Sequence, residues 1–214
     1  MLSNLLAFTA VVMMLTMLPG IDTAQVLRAA TLGGPRLAYA TLFGIMAGVW
    51  VWGVAAAIGI SALLLASPAL YDVVRYLGGS YLLWLGLRII WSARKPHLQS
   101  EHDSGSARTY VGAFTRASLI TITNPKNGLF YIAMLPQFLP KELPPAVGGF
   151  VLSTIHNGTC LLWFSMLIWG TNRARNFFER PQVQQWMERI SGIALVGFGV
   201  AAAGYVLGDL LVKL

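Results

Sequence analysis

The feature that most limits this chain is the recurrence of apolar stretches about as long as a bilayer is thick. A helix needs about 20 mostly apolar residues to cross the hydrocarbon core. Six stretches meet or approach that length: Leu2–Leu18 continuing past a break towards Ala30, Ala38–Leu65, Leu70–Trp91, Gly112–Leu139, Ala146–Gly170 and Ile190–Val212. Hydrophobic residues make up 56% of the 214 and charged residues 11%, which is too little charge to cover a water-soluble surface of this size. The expected fold is therefore an all-α integral membrane protein of six transmembrane helices, with the lipid bilayer as its solvent.

Charge then sets organisation. The net +7 does not suggest nucleic acid, because basic nucleic-acid binders need a polar surface and this chain has little. The charges cluster instead. The one clearly polar linker lies between the third and fourth spans and holds Arg94, Lys95, His97, Glu101, His102, Asp103 and Arg108. It divides the chain into a first three-helix repeat (1–91), a linker (92–111) and a second three-helix repeat (112–214). In a six-span arrangement eleven Lys and Arg fall on the linker's side and three on the other, with Lys126 left inside a helix. The positive-inside rule then puts the linker in the cytoplasm and both termini outside. The N-terminus lacks the positive region and cleavage site of a secretory signal, so it is read as a retained span. The basic, aromatic segment from Thr171 to Arg189 reads as a connection lying along the inner surface.

Three helices per half is an odd number, so related halves would be related by inversion across the membrane plane, as in many secondary transporters. The first helix of each half carries a helix breaker beside an ionisable residue: Pro19-Gly20-Ile21-Asp22 in the first, Asn124-Pro125-Lys126-Asn127 in the second. Proline removes a backbone donor and frees the carbonyl four residues earlier. The breaks therefore place backbone dipoles beside charges, and paired interrupted helices point to a transport site. Asp22 and Lys126 each cost about 2.5–3.5 kcal/mol at a helix centre, so each needs a partner. A zwitterionic amino acid suits the place, with Lys126 and freed amides meeting its carboxylate, and Asp22 and freed carbonyls its ammonium group. Asp22 is also a candidate for proton exchange. The plainer readings are that Asp22 caps a helix and that Lys126 snorkels to water or pairs with Asp22. In the fifth span His156 and Asn157 either line a wet pathway and relay protons or bond between helices. Tyr81 reads as packing, the repeated glycines as close helix contacts, and the tryptophans Trp50, Trp52, Trp84, Trp91, Trp163 and Trp169 as interface anchors with some buried.

The break at 19–22, the span from Gly44 to Gly59, the run from Tyr76 to Arg88 (YLGGSYLLWLGLR) and Asn124-Pro125-Lys126 followed by Leu135-Pro136-Gln137-Phe138 together resemble the LysE/RhtB family of bacterial amino-acid exporters. The resemblance covers essentially the whole chain. The family pattern after the first span is commonly PGPD, and here Ile21 stands where the second proline would be. The resemblance implies an inner-membrane exporter of amino acids or their derivatives, coupled to protons or another cation and built from two inverted three-helix halves. Homoserine, threonine, homoserine lactone, leucine and basic amino acids are all substrates within the family, and the sequence does not choose among them.

Other functions are weighed against this one. A membrane redox or metal-handling protein is disfavoured by the single cysteine, Cys160, which allows neither a CxxC pair nor a thiolate metal site, and by the sparseness of His97 and His102. A non-transporting scaffold is the third class. No GxxxxGK[ST] phosphate loop is present, so ATP hydrolysis and enzymatic activity are not expected. No metal or cofactor is expected either. Small residues serve contacts within one subunit or between copies, leaving a homo-oligomer open.

Overall fold

The computed structural model describes residues 2–18, 20–92, 109–140, 142–170, 180, 182–183, 185–193, 195–197 and 199–200. Among these the secondary structure is helical, with no strand. The helices are α1 (Leu2–Met17), α2 (Ile21–Ala66), α3 (Pro68–Ser92), α4 (Tyr110–Thr123), α5 (Pro125–Phe138) and α6 (Pro145–Trp169). Residues 185–193 are helical as well.

Two of the expected boundaries shift. No gap separates Ala30 from Ala38. Helix runs on either side of Gly34, whose φ of 75° and ψ of −177° belong to a region that only glycine enters without strain. Pro35 then opens the second limb, at a position where its missing N–H costs nothing. The chain reverses here. Thr16, eighteen residues before Gly34, and the carbonyl of Met46, twelve after it, both meet the same turn of α6 at residues 157–160. The last span also begins earlier than Ile190, because residues 185–189 already belong to a helix. Residues 171–179 of the expected surface connection, and most of the 92–111 linker, lie outside the described residues.

The 35–66 limb of α2 is the centre of the molecule, packed between α4 and α6. Its glycines make the approach close. A Cβ on Gly44 would strike the carbonyl oxygen of Phe114, one on Gly48 would lie 2.6 Å from Cβ of Thr121, and one on Gly53 2.5 Å from Cβ of Ser153. On α6 a Cβ on Gly149 would strike the Gly53 carbonyl in return. Helices that cannot gain from hydrophobic exclusion associate through such small-residue seams, where backbones approach closely. Partners rise along α4 as they rise along α2, from Gly44 with Phe114 to Gly48 with Thr121, so these helices run parallel. They fall along α6, from Gly53 with Gly149 to Met46 with Asn157, so this pair runs antiparallel. α3 packs on α5 where Gly78 meets Ala133, and on 185–193 where Gly86 meets the carbonyl of Gly192.

The interior is filled by Phe8, Leu42, Ile45, Phe130, Met134, Leu135, Leu152, Phe164 and Leu167. The outward faces are apolar too: Leu77, Val111, Leu119 and Leu162 are each at least 60% exposed. Helices apolar all round suit a lipid surround rather than water. The stretches Ile21–Leu63 and Pro145–Trp169 are each long and apolar enough to cross a membrane.

Candidate functional site

Both interruptions fall where the prolines lead one to look. At the first, α1 ends at Met17 and α2 begins at Ile21, with Gly20 extended at φ −159°. The carbonyl that Pro19 cannot bond is that of Leu15, and the Leu18 N–H takes it at 3.2 Å in a tightened last turn. The Leu18 carbonyl accepts from the Thr23 hydroxyl at 3.4 Å, and the Ala24 N–H reaches the Gly20 carbonyl at 2.9 Å. The break is closed by its own neighbours. Pro19 itself lies outside the described residues.

The second break is closed from across the bundle. α4 ends at Thr123, Asn124 stands extended at φ −73° and ψ 110°, and Pro125 opens α5. The freed carbonyl is that of Thr121. It accepts the Trp52 indole N–H from α2 at 3.1 Å and the Asn127 side-chain amide at 3.5 Å. The ring of Trp52 lies on the bare backbone of Gly128, where a Cβ would strike it. The Asn124 carbonyl accepts the N–H groups of Asn127 (3.1 Å) and Gly128 (3.3 Å), which starts the new helix. The Thr121 hydroxyl is buried without a hydrogen-bond partner.

The two ionisable residues hold matching places. Asp22 is the second residue of α2 and Lys126 the second residue of α5, each just past its break. Asp22 is half-buried and sits in the first turn of its helix, where the backbone dipole favours an anion. The Gln25 amide donates to its Oδ1 at 3.5 Å. The side chains of Pro125 and Lys126 lie outside what is described, so the expected pairing of Lys126 with Asp22 does too.

His156 and Asn157 are both buried in α6. His156 Nδ1 lies 2.8 Å from the Tyr131 hydroxyl of α5, and the two rings stack with centroids 5.9 Å apart. Asn157 donates through Nδ2 to the Met46 carbonyl at 3.0 Å, while its buried Oδ1 has no hydrogen-bond partner. Sequence reading missed Tyr131. The signal was present, because residues 124, 127/128 and 131 share one helical face. It placed Trp52 among interface anchors, whereas the structure turns the indole inward as a backbone donor. Trp163 is buried, while Trp84, Trp91 and Trp169 are exposed. Tyr81 packs against the core and beside Trp84 (5.9 Å between centroids). Among the described residues no three His, Cys, Asp or Glu side chains come together as metal ligands.

A bundle of apolar-faced helices, two of them broken next to ionisable and buried polar groups, defines a multi-pass helical membrane protein. The chain belongs to the LysE type translocator family, whose model matches residues 13–205. It is 30% identical over 203 residues to an uncharacterised membrane protein, YrhP, of Bacillus subtilis, covering 92% of this chain and 97% of that one. It is 30% identical to a leucine efflux protein of an Enterobacter species (88% and 90% covered) and 29% identical to a leucine efflux protein of Klebsiella pneumoniae (94% of each). No solved structure matches it.

Proposed function

We propose that this protein is a secondary transporter that exports amino acids or their derivatives across the bacterial inner membrane, driven by the proton gradient, with leucine and similar aliphatic amino acids as the first candidates. The observation that carries the reading is the matched pair of broken helices, with Asp22 and Lys126 each second in the helix beyond its break. Membership of a translocator family and the likeness to leucine efflux proteins support it. The positive start of α5 and the Lys126 ammonium would meet the substrate carboxylate, and Asp22 would meet the ammonium group, the carbonyls at its break being already bonded by Leu18, Thr23 and Ala24. Pro19, Gly20, Asn124, Pro125 and Asn127 form the two breaks that set these charges in place. Asn157 supplies polar wall on α6.

The two halves, 1–91 and 112–214, would be inverted repeats that alternate access around this site, with the 92–111 linker in the cytoplasm and both termini outside. The directions of packing support it: α2 lies parallel to α4 and antiparallel to α6, as alternating spans require. Everted membrane vesicles loaded by a proton gradient test the proposal. Labelled leucine, threonine, homoserine and lysine are offered to vesicles carrying wild type or Lys126→Ala. Leucine should accumulate, and losing one charge-assisted contact of about 1.5–3 kcal/mol should slow Lys126→Ala by roughly ten- to a hundredfold. Vesicles with abundant wild-type protein that move none of the four would refute export.

A further inference from the structure

α6 touches both broken helices. At Cys160 it faces the first break: the Thr16 hydroxyl of α1 lies 3.9 Å from Sγ and 3.4 Å from the Thr159 hydroxyl. One turn earlier, at His156, the same helix faces the limb that begins with Pro125-Lys126. There Nδ1 meets the Tyr131 hydroxyl at 2.8 Å, and Phe130 closes the ring edge-on at 6.4 Å. The following residue, Asn157, ties α6 to the Met46 carbonyl of α2. A titratable ring thus sits in the interior, bonded to the half-helix that carries Lys126 and one turn from the contacts of α1, the half-helix that leads into the break before Asp22.

Resting on the export reading, we propose that His156, with Tyr131, is the group that takes and releases the coupling proton. Histidine is the side chain whose unperturbed charge change falls between pH 5 and 8. With the ring neutral and its hydrogen on Nε2, the Tyr131 hydroxyl donates to Nδ1. A proton arriving from the outside forms an Nδ1–H bond, and the ring then donates to the Tyr131 oxygen. The phenolic hydrogen must turn to another acceptor. The same proton later leaves from Nδ1 to the cytoplasmic side, so only an N–H bond forms and breaks, and nothing is oxidised. Each change reverses the polarity of the tie between α6 and α5, and α6 transmits it to the first break.

Among the described residues, the titratable groups placed around the ring are Tyr131 from α5 and Cys160, one turn on along α6; Asp22 of α2 stands past the break that Thr16 precedes. The nearby groups from α1 and from the 35–66 limb of α2 are the Thr16 hydroxyl and the Met46 carbonyl, which do not titrate in this range.

The full chain in proteoliposomes tests this with labelled leucine under two conditions. One is exchange against unlabelled leucine without a gradient, and the other is accumulation against a one-unit pH gradient, which supports at most about tenfold enrichment in one-for-one proton exchange. Wild type should do both. His156→Gln and Tyr131→Phe should still exchange leucine but accumulate it less than twofold above equilibrium, and exchange by His156→Gln should lose its pH dependence. Accumulation by both variants with the wild-type pH profile would overturn the proposal. So would folded variants that bind leucine but exchange none, since the pair would then serve the translocation step itself rather than its coupling. If wild type neither exchanges nor accumulates any amino acid, the export reading fails instead.

Discussion

Replacing Trp52 with phenylalanine removes the indole N–H that donates to the Thr121 carbonyl at 3.1 Å, together with the far edge of the ring that lies on Gly128. That carbonyl is free because Pro125, four residues on, has no N–H to give it. A net hydrogen bond contributes about 0.5–1.5 kcal/mol, and a buried acceptor left without a partner costs about 1–3 kcal/mol. The Asn127 amide at 3.5 Å remains as a weak substitute, so the lost N–H should destabilise by about 1–2 kcal/mol on top of the packing lost with the ring edge. The same change made in a Pro125→Ala background should behave differently. Residue 125 then has an N–H within one helical turn of the orphaned carbonyl, and the hydrogen-bond part of the Trp52→Phe cost should fall below about 0.5 kcal/mol, leaving only the packing part common to both backgrounds. Reversible unfolding of the four proteins in detergent micelles closes this double-mutant cycle. The reasoning predicts a coupling of about 1 kcal/mol or more between positions 52 and 125. Equal costs of Trp52→Phe in the two backgrounds would show that the indole stabilises through its bulk and not by completing the broken helix.

Two backbone predictions separate strain from space. Neither Gly34 nor Gly158 has a neighbour where a Cβ would go, but only Gly34 has φ at 75°. Gly34→Ala should therefore cost about 1–3 kcal/mol from backbone strain alone, whereas Gly158→Ala, inside α6, should be neutral or stabilising by up to about 1 kcal/mol; melting curves that rank them the other way would reject the hairpin geometry at Gly34. At the α2–α6 seam Gly53→Val should destabilise by about 1–3 kcal/mol or more, because Ser153 and the Gly149 carbonyl occupy the space it needs. Compensation by Ser153→Gly, seen as partial recovery of the melting temperature, checks that the contact is the cause.

Among the described residues, the main helical stretches and both breaks were legible in the sequence. Pro19 and Pro125 could be read as sites of lost donors, and Asp22 and Lys126 as charges beside them, since each inference needs only the chain's own neighbours. The hairpin at Gly34 was less plain. Gly33-Gly34-Pro35 lies between two apolar runs and was read as part of a gap, because composition does not distinguish a loop from a single left-handed residue. Tyr131 was passed over for a different reason. A tyrosine in an apolar span is usually packing, and only its distance to His156 gives its hydroxyl a partner.

What the sequence determined by itself was everything governed by near neighbours along the chain: helical spans of bilayer length, and a carbonyl left over four residues before each proline. What closes those gaps was decided only by tertiary structure. The Leu15 carbonyl found Leu18 nearby, but the Thr121 carbonyl is met by Trp52, 69 residues away, and Asn157 reaches Met46 across 111. The physical reason is that an apolar surround offers no water to an unpaired polar group, so each one must find a partner in whatever helix packs beside it, and that neighbour is chosen by the glycine seams of the whole bundle.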